Sequence, residues 1–158
     1  MRIEKHKIYM DFQFDYPKTS KEELSLEHLR FFYYDVAKWS EFSQMIEMGN
    51  DELLNLASKL SINLTPIDDK NQITKPNSDE IQFKAKAPET YQSALLRHLR
   101  NSFSHFRITY THNDSCFYVE DIDKNIVTLS GNVKCESLQD LIFHLRDYHE
   151  NSTNTNPA

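Results

Sequence analysis

Glycine is almost missing from this chain: Gly49 and Gly131 are the only two among 158 residues. A β-sandwich or barrel turns tightly many times, and such turns ask for glycine. Two glycines and five prolines therefore favour helices. They also exclude a glycine-rich loop that could cradle a phosphate. Cysteine is equally scarce. Cys116 and Cys135 fit no metal-ligand spacing and no disulfide framework, so two buried free thiols are expected. No apolar run approaches the roughly 18 to 20 residues of a membrane span. Met1-Arg2-Ile3-Glu4-Lys5-His6 lacks the apolar stretch of a signal peptide. A soluble, cytoplasmic protein is expected.

What is present suffices for one domain with a real core. The chain is 39% hydrophobic and 12% aromatic, which sets it apart from disordered sequences. Its length suits one domain over 1–150, followed by a disordered polar tail over 151–158. The net charge of −6 argues against a general nucleic-acid coat. The distribution of charge is uneven, however. Between Glu89 and Asp114 there is no Asp or Glu, where the chain average would put about three or four. The same stretch holds Arg97, Arg100 and Arg107 with His98, His105 and His112.

Ile8, Met10, Phe12 and Phe14 alternate, which predicts an N-terminal arm or strand over 1–19. Ser20-Lys21-Glu22-Glu23 reads as a capping box opening a helix to about Met48. Leu29, Phe32, Val36, Trp39, Phe42 and Ile46 form its apolar stripe. Gly49 is the expected stop and Asp51 the cap of a second helix through Leu60. Pro66, Pro76 and Asp68-Asp69-Lys70-Asn71-Gln72 make 61–87 read as a long polar loop. Pro88 and Glu89 suit the first turn of a helix that runs from 89 to about 104. Phe106, Ile108 and Tyr110 alternate with polar residues, and strand-like runs follow at 116–120 and 126–129. Leu138, Leu141, Ile142, Leu145 and Tyr148 then mark one packing face of a last helix.

The sharpest chemistry lies in Leu99-Arg100-Asn101-Ser102-Phe103-Ser104-His105. At about 100° per residue, Asn101 and His105 differ by roughly 40° and share a helix face, whereas Arg100 and His105 differ by roughly 140°. Two such helices across a symmetry axis would bring two Arg and two His into one cleft, so the spacing is easier to explain in a dimer. An imidazole can take a proton from a ribose 2′-hydroxyl and return one to the leaving 5′-oxygen. A guanidinium matches phosphate oxygens as negative charge builds. Asn101 can orient either the His or the phosphate. No metal is needed when the nucleophile is already on the substrate. Arg97, His98 and Arg107 are further residues that could meet RNA phosphate.

The heptapeptide resembles the signature of HEPN domains: an Arg, a polar residue, a short spacer and a His. The strands that follow and the Leu138–Tyr148 helix resemble a HEPN nuclease subgroup found in bacterial plasmid, phage-defence and toxin systems. The clear resemblance covers residues 89–148; the first half matches only as helices. It implies a mainly α fold, a HEPN-like helical bundle with a small antiparallel meander before the last helix. It further implies a homodimer with the motif at the interface, and RNA cleavage without metal to a 2′,3′-cyclic phosphate. It carries over Arg100, Asn101 and His105 as catalytic residues, with no cofactor. A toxin or defence effector of this kind calls for a neutralising antitoxin or regulatory protein. The alternative is a HEPN module that binds RNA or a protein partner without cleaving.

Other patterns carry less. Asp121-x-Asp123-x-Asn125 imitates a calcium loop, but Ile126 stands where glycine is needed and Asn132 where glutamate is, so a hairpin turn is expected. His144 and His149 are five apart and lack the i, i+4 spacing of a helical metal pair. Phe31-Phe32-Tyr33-Tyr34 reads as a core stripe before a base-stacking patch.

Overall fold

The structure is a computed structural model that describes residues 13–14, 21–22, 24–38, 46–111 and 114–154. In chain order the elements are β1 (Lys21–Glu22), α1 (Leu26–Arg30) continued by a π-helical stretch (Phe31–Ala37), α2 (Asn50–Lys59), β2 (Asn63–Ile67) and β3 (Glu80–Lys84). Then come α3 (Tyr91–Ser104), β4 (Ile108–Thr111), β5 (Cys116–Asp123), β6 (Ile126–Lys134) and α4 (Cys135–Asn154). The strands form one sheet in the order β1-β4-β5-β6-β3-β2. β2 and β3 are parallel; every other neighbouring pair is antiparallel.

This corrects the expected helical bundle. The protein is an α/β fold, and among the described residues four helices cover a mixed sheet. The β4-β5-β6 meander is present, but as the middle of that sheet. The difference arises in 61–87, which holds β2 and β3 where a long loop is expected. Pro66 conceals β2, yet β2 is an edge strand, where a residue without an N–H is tolerated. In β3, Ile81 and Phe83 enter the helical face, while Glu80 and Gln82 point to the other side.

The core lies between the sheet and its helices. Ile81, Phe83, Phe117, Val119, Leu129 and Val133 meet Leu95 and Leu99 of α3, Leu53 of α2, and Leu138, Leu141 and Leu145 of α4. Phe32 and Val36 are fully buried there, and Phe32 stacks on Phe103 at 5.9 Å. The expected first helix starts later: Ser25, not Ser20, caps it by accepting from the His28 N–H. The π turn, closed by the Lys38 N–H to the Tyr33 carbonyl at 2.9 Å, widens the helix. Leu29, in the regular turn before it, is 41% exposed although it belongs to the expected stripe. Trp39, Phe42 and the expected N-terminal strand up to Phe12 lie outside the described residues. Gly49 caps the start of α2 instead of ending its predecessor. α4 runs on to Asn154, past the expected start of the tail.

The second face of the sheet is polar and nevertheless buried. Glu80, Gln82, Thr109, Thr111, Glu120 and Ser130 are buried there. Phe14 packs there against the buried Cys116 and Tyr118, and main chain supplies the polar cover. The Gln13 and Phe14 N–H groups donate to the Glu120 carboxylate, and in the 68–79 connection those of Thr74 and Asn77 donate to Gln82 and Glu80. Lys124 and Asn125, at φ 51° and 67°, make the two-residue turn between β5 and β6 expected in place of a calcium loop. No helix of the described residues is long and apolar enough to cross a membrane.

Candidate active site at the end of α3

Helix α3 starts at Thr90, whose hydroxyl accepts from the Ser93 N–H at 3.1 Å. Glu89 lies outside the helix and binds Arg97 through two hydrogen bonds of 2.9 and 3.0 Å. The helix ends in a Schellman motif. His105 is the cap, the Phe106 N–H reaches the Phe103 carbonyl at 3.2 Å, and the Arg107 N–H reaches the Ser102 carbonyl at 2.8 Å. Phe106 takes the left-handed position that usually selects glycine, at φ 58°. The chain then turns directly into β4.

This cap places the motif. Asn101 and His105 line one cleft of about 310 Å³, as their shared helix face predicts. Its other walls are Lys84 and Lys86 from β3 and beyond, Arg97 and His98 from α3, Asp69, and Asp121 to Asp123 with Thr128 from the β5–β6 hairpin. His105 is exposed. Arg100 is half-buried and is not among the lining residues. Within one chain, the Arg and the His of the motif therefore do not share a cleft. Ser102 is buried and its hydroxyl donates to the His98 carbonyl at 2.9 Å.

The remaining expected residues divide. Arg97 lines the cleft, with its charge engaged by Glu89. Its hydrogen bond with Glu89, against the opposing effect of burial, holds its guanidinium above the ordinary value. Burial alone would raise the Glu89 carboxyl, but the hydrogen bonds and charge of Arg97 outweigh it and hold Glu89 below the ordinary carboxylate value. His98 touches the cleft but is only 2% exposed. Its Nδ1 stands 2.7 Å from Asp121 Oδ2 and its Nε2 stands 2.8 Å from the Lys84 carbonyl oxygen. Arg107 is half-buried and does not line the cleft.

Sequence reasoning missed Asp121, Lys84 and Lys86. It also took the surroundings of the motif to be free of acids. That holds along the chain and fails in space, because Asp69, Asp121 and Asp123 come in from other elements. One signal for Asp121 was available. In β5, Phe117 and Val119 alternate onto the helical face, and Asp121 is next in that series. Among the described residues no cluster of three or more His, Cys, Asp or Glu could hold a metal ion. Both cysteines are free and buried. Burial, with the neighbouring Cys116, pushes the Cys135 thiol up to about 12.

No curated protein and no solved structure matches the chain. A family model described as HEPN pEK499 p136 matches residues 16–156, a span that takes in the described sheet and helices and the motif. By that match over most of its length, the chain belongs to the HEPN pEK499 p136 family.

Proposed function

We propose that the protein is an endoribonuclease that works without a metal, with His105 as its acid–base group. The observation that carries this reading is the open imidazole of His105 beside Asn101 in a polar cleft that also holds Lys84, Lys86 and Arg97. Membership of a HEPN family supports it at the level of the domain. In the proposed reaction His105 takes the 2′-hydroxyl proton, and the 2′-oxygen attacks phosphorus. The bond to the 5′-oxygen breaks, and an imidazolium returns a proton to that oxygen. The products are a 2′,3′-cyclic phosphate and a 5′-hydroxyl.

Arg100 enters this reading through a second copy of the chain. It lies on the neighbouring face of α3, so a two-fold pairing of these helix ends would set two Arg100 and two His105 around one scissile phosphate. Unrestrained RNA cleavage harms the cell that makes it. The proposed role is accordingly that of a toxin or defence effector held in check by a partner.

The test is cleavage of single-stranded RNA with EDTA present, followed by analysis of the product ends. Cyclic phosphate ends are expected. His105→Ala or Arg100→Ala should abolish them while leaving the melting temperature and the dimer unchanged. Persistent cleavage by His105→Ala would sink the mechanism. The second reading, an RNA-binding module without cleavage, is favoured by the position of Arg100 outside the single-chain cleft. It predicts retained RNA with no cyclic ends.

A further inference from the structure

Asp121 breaks the apolar series of β5. Phe117 and Val119 fill the helical face, and the next residue on that face is a carboxylate that is 4% exposed. Two side chains of α3, about one turn apart, converge on a single oxygen of it. His98 Nδ1 is 2.7 Å from Asp121 Oδ2, and the Asn101 amide donates to the same Oδ2 at 3.4 Å.

The sheet is modified locally to make this arrangement. Asp121 pairs with Leu129 and Ile122 with Val127, so Thr128 is an extra residue in β6 at a bulge. Such a bulge re-aims a side chain. The Thr128 hydroxyl donates to the Asp121 carbonyl at 3.1 Å and lies 3.3 Å from His98 Nδ1. With its Nε2 against the Lys84 carbonyl, the His98 ring is held at both nitrogens by oxygens. A buried ring fixed in this way forms a wall that keeps Asp121 in place.

The chemistry of Asp121 then decides which end of Asn101 enters the cleft. An ionised carboxylate only accepts hydrogen bonds. The atom of Asn101 that meets it must therefore be the amide nitrogen, which leaves the amide oxygen turned away from Asp121. We infer that Asp121 is a positioning residue of the proposed RNA-cleaving site, one that sets Asn101 to offer an acceptor oxygen to the cleft. This inference rests on the nuclease reading. An acceptor at that point matches a hydroxyl or an N–H, namely the ribose 2′-hydroxyl of RNA or the imidazole N–H of His105. It does not match a phosphate oxygen. Asn101 thus acts on the nucleophile side of the reaction, and charge stabilisation at phosphorus falls to Arg100 and the lysines.

The test uses the full-length protein and an oligoribonucleotide with one cleavable site. Asp121→Ala is expected to lower kcat roughly 10- to 100-fold and to leave KM within about twofold. Asp121→Asn keeps an acceptor oxygen and should recover most of the rate. In an Asn101→Ala background, removing Asp121 should cost no further rate, because both changes remove one effect. A folded Asp121→Ala protein that cleaves at the wild-type rate overturns the inference, as does a full additional loss in the Asn101→Ala background. A readout without RNA separates this inference from the nuclease reading and does not depend on Asp121→Ala folding. In proton–nitrogen NMR of the wild-type protein, the Asn101 side-chain amide should show resolved, slowly exchanging protons that move in Asp121→Asn. A solvent-averaged amide overturns the positioning role whatever the RNA assay gives. A protected amide in a protein that leaves RNA uncut upholds the orientation of Asn101 and overturns the nuclease reading.

Discussion

Gly131 lies on the helical face of β6, opposite Ile81 of β3 on one side and Val119 of β5 on the other. A methyl group added there would stand 2.9 Å from Val119 Cγ2 and 3.1 Å from Ile81 Cγ1. Carbon atoms in good contact sit about 3.5 to 4.0 Å apart. The shortfall is therefore about 0.5 to 1 Å against two fully buried residues. Both neighbours are β-branched and stiff, so neither can swing aside cheaply. Overpacking of this kind costs about 1–3 kcal/mol. Loss of the glycine's freedom in the unfolded chain returns about 0.5–1 kcal/mol. Gly131→Ala is therefore expected to lose about 1–2 kcal/mol, a fall in melting temperature of roughly 2–8 °C for a domain of this size. Urea unfolding followed by circular dichroism measures it. The combination with Val119→Ala makes the test specific. Val119→Ala alone leaves a cavity and should cost about 2–3 kcal/mol. With that space open the methyl at 131 has room, so the double variant should be more stable than the sum by at least about 1 kcal/mol. A Gly131→Ala protein as stable as the wild type, or strict additivity of the pair, would refute the clash.

Phe106 holds a left-handed conformation with its side chain 55% exposed. Phe106→Gly should therefore gain about 0.5–1 kcal/mol, read as a higher urea midpoint, and a loss would show that the ring supports the fold. The folded Glu89 carboxyl titrates below its unfolded value, so its contribution is complete above the ordinary carboxylate range and is lost as pH falls through the depressed value. Glu89→Gln should cost about 0.5–1 kcal/mol at neutral pH, given the partial exposure of the pair, and nothing in strongly acidic buffer. Equal unfolding midpoints for wild type and variant at neutral pH would remove that ion pair from the energetics. Burial raises both thiols, so a thiol reagent at neutral pH should titrate neither Cys116 nor Cys135 in the native protein and both after denaturation. Rapid reaction of either in the native state would contradict its burial.

The parts of the fold that showed in the sequence are those where one local rule decides. α3 and α4 follow a 3.6-residue apolar stripe, and β4 to β6 alternate and are punctuated by turns. β2 and β3 were hidden because their outward side carries the half-buried Thr65 and the buried Glu80 and Gln82, polar residues held by one another rather than by water. Thr65 donates to Glu80 at 2.9 Å, and Gln82 donates to the same carboxylate at 3.0 Å. A polar residue in a sequence reads as solvated, and its burial partners cannot be counted before the fold is known. The alternation Glu80-Ile81-Gln82-Phe83-Lys84 was nonetheless visible. At the site, the shared face of Asn101 and His105 followed from helical spacing, and the cleft unites them. The separation of Arg100 followed from the same arithmetic. Asp121 did not, because a contact between residues 20 apart depends on how the sheet passes beneath the helix.

The polar underside of the sheet has a consequence for how this protein fails. Its covers are held to Glu80, Gln82 and Glu120 by directional bonds from main-chain N–H groups, beside one small apolar cluster of Phe14, Cys116 and Tyr118. If the 68–79 segment lifts, carboxylates and amides meet water, which takes over their hydrogen bonds. Opening on that side bares few apolar groups, Ile73 among them, whereas opening on the helical side would bare Phe83, Phe117 and Leu129. The two sides of one sheet thus give two kinds of excursion: one that bares mostly polar groups, and one that bares the main core and leads toward aggregation.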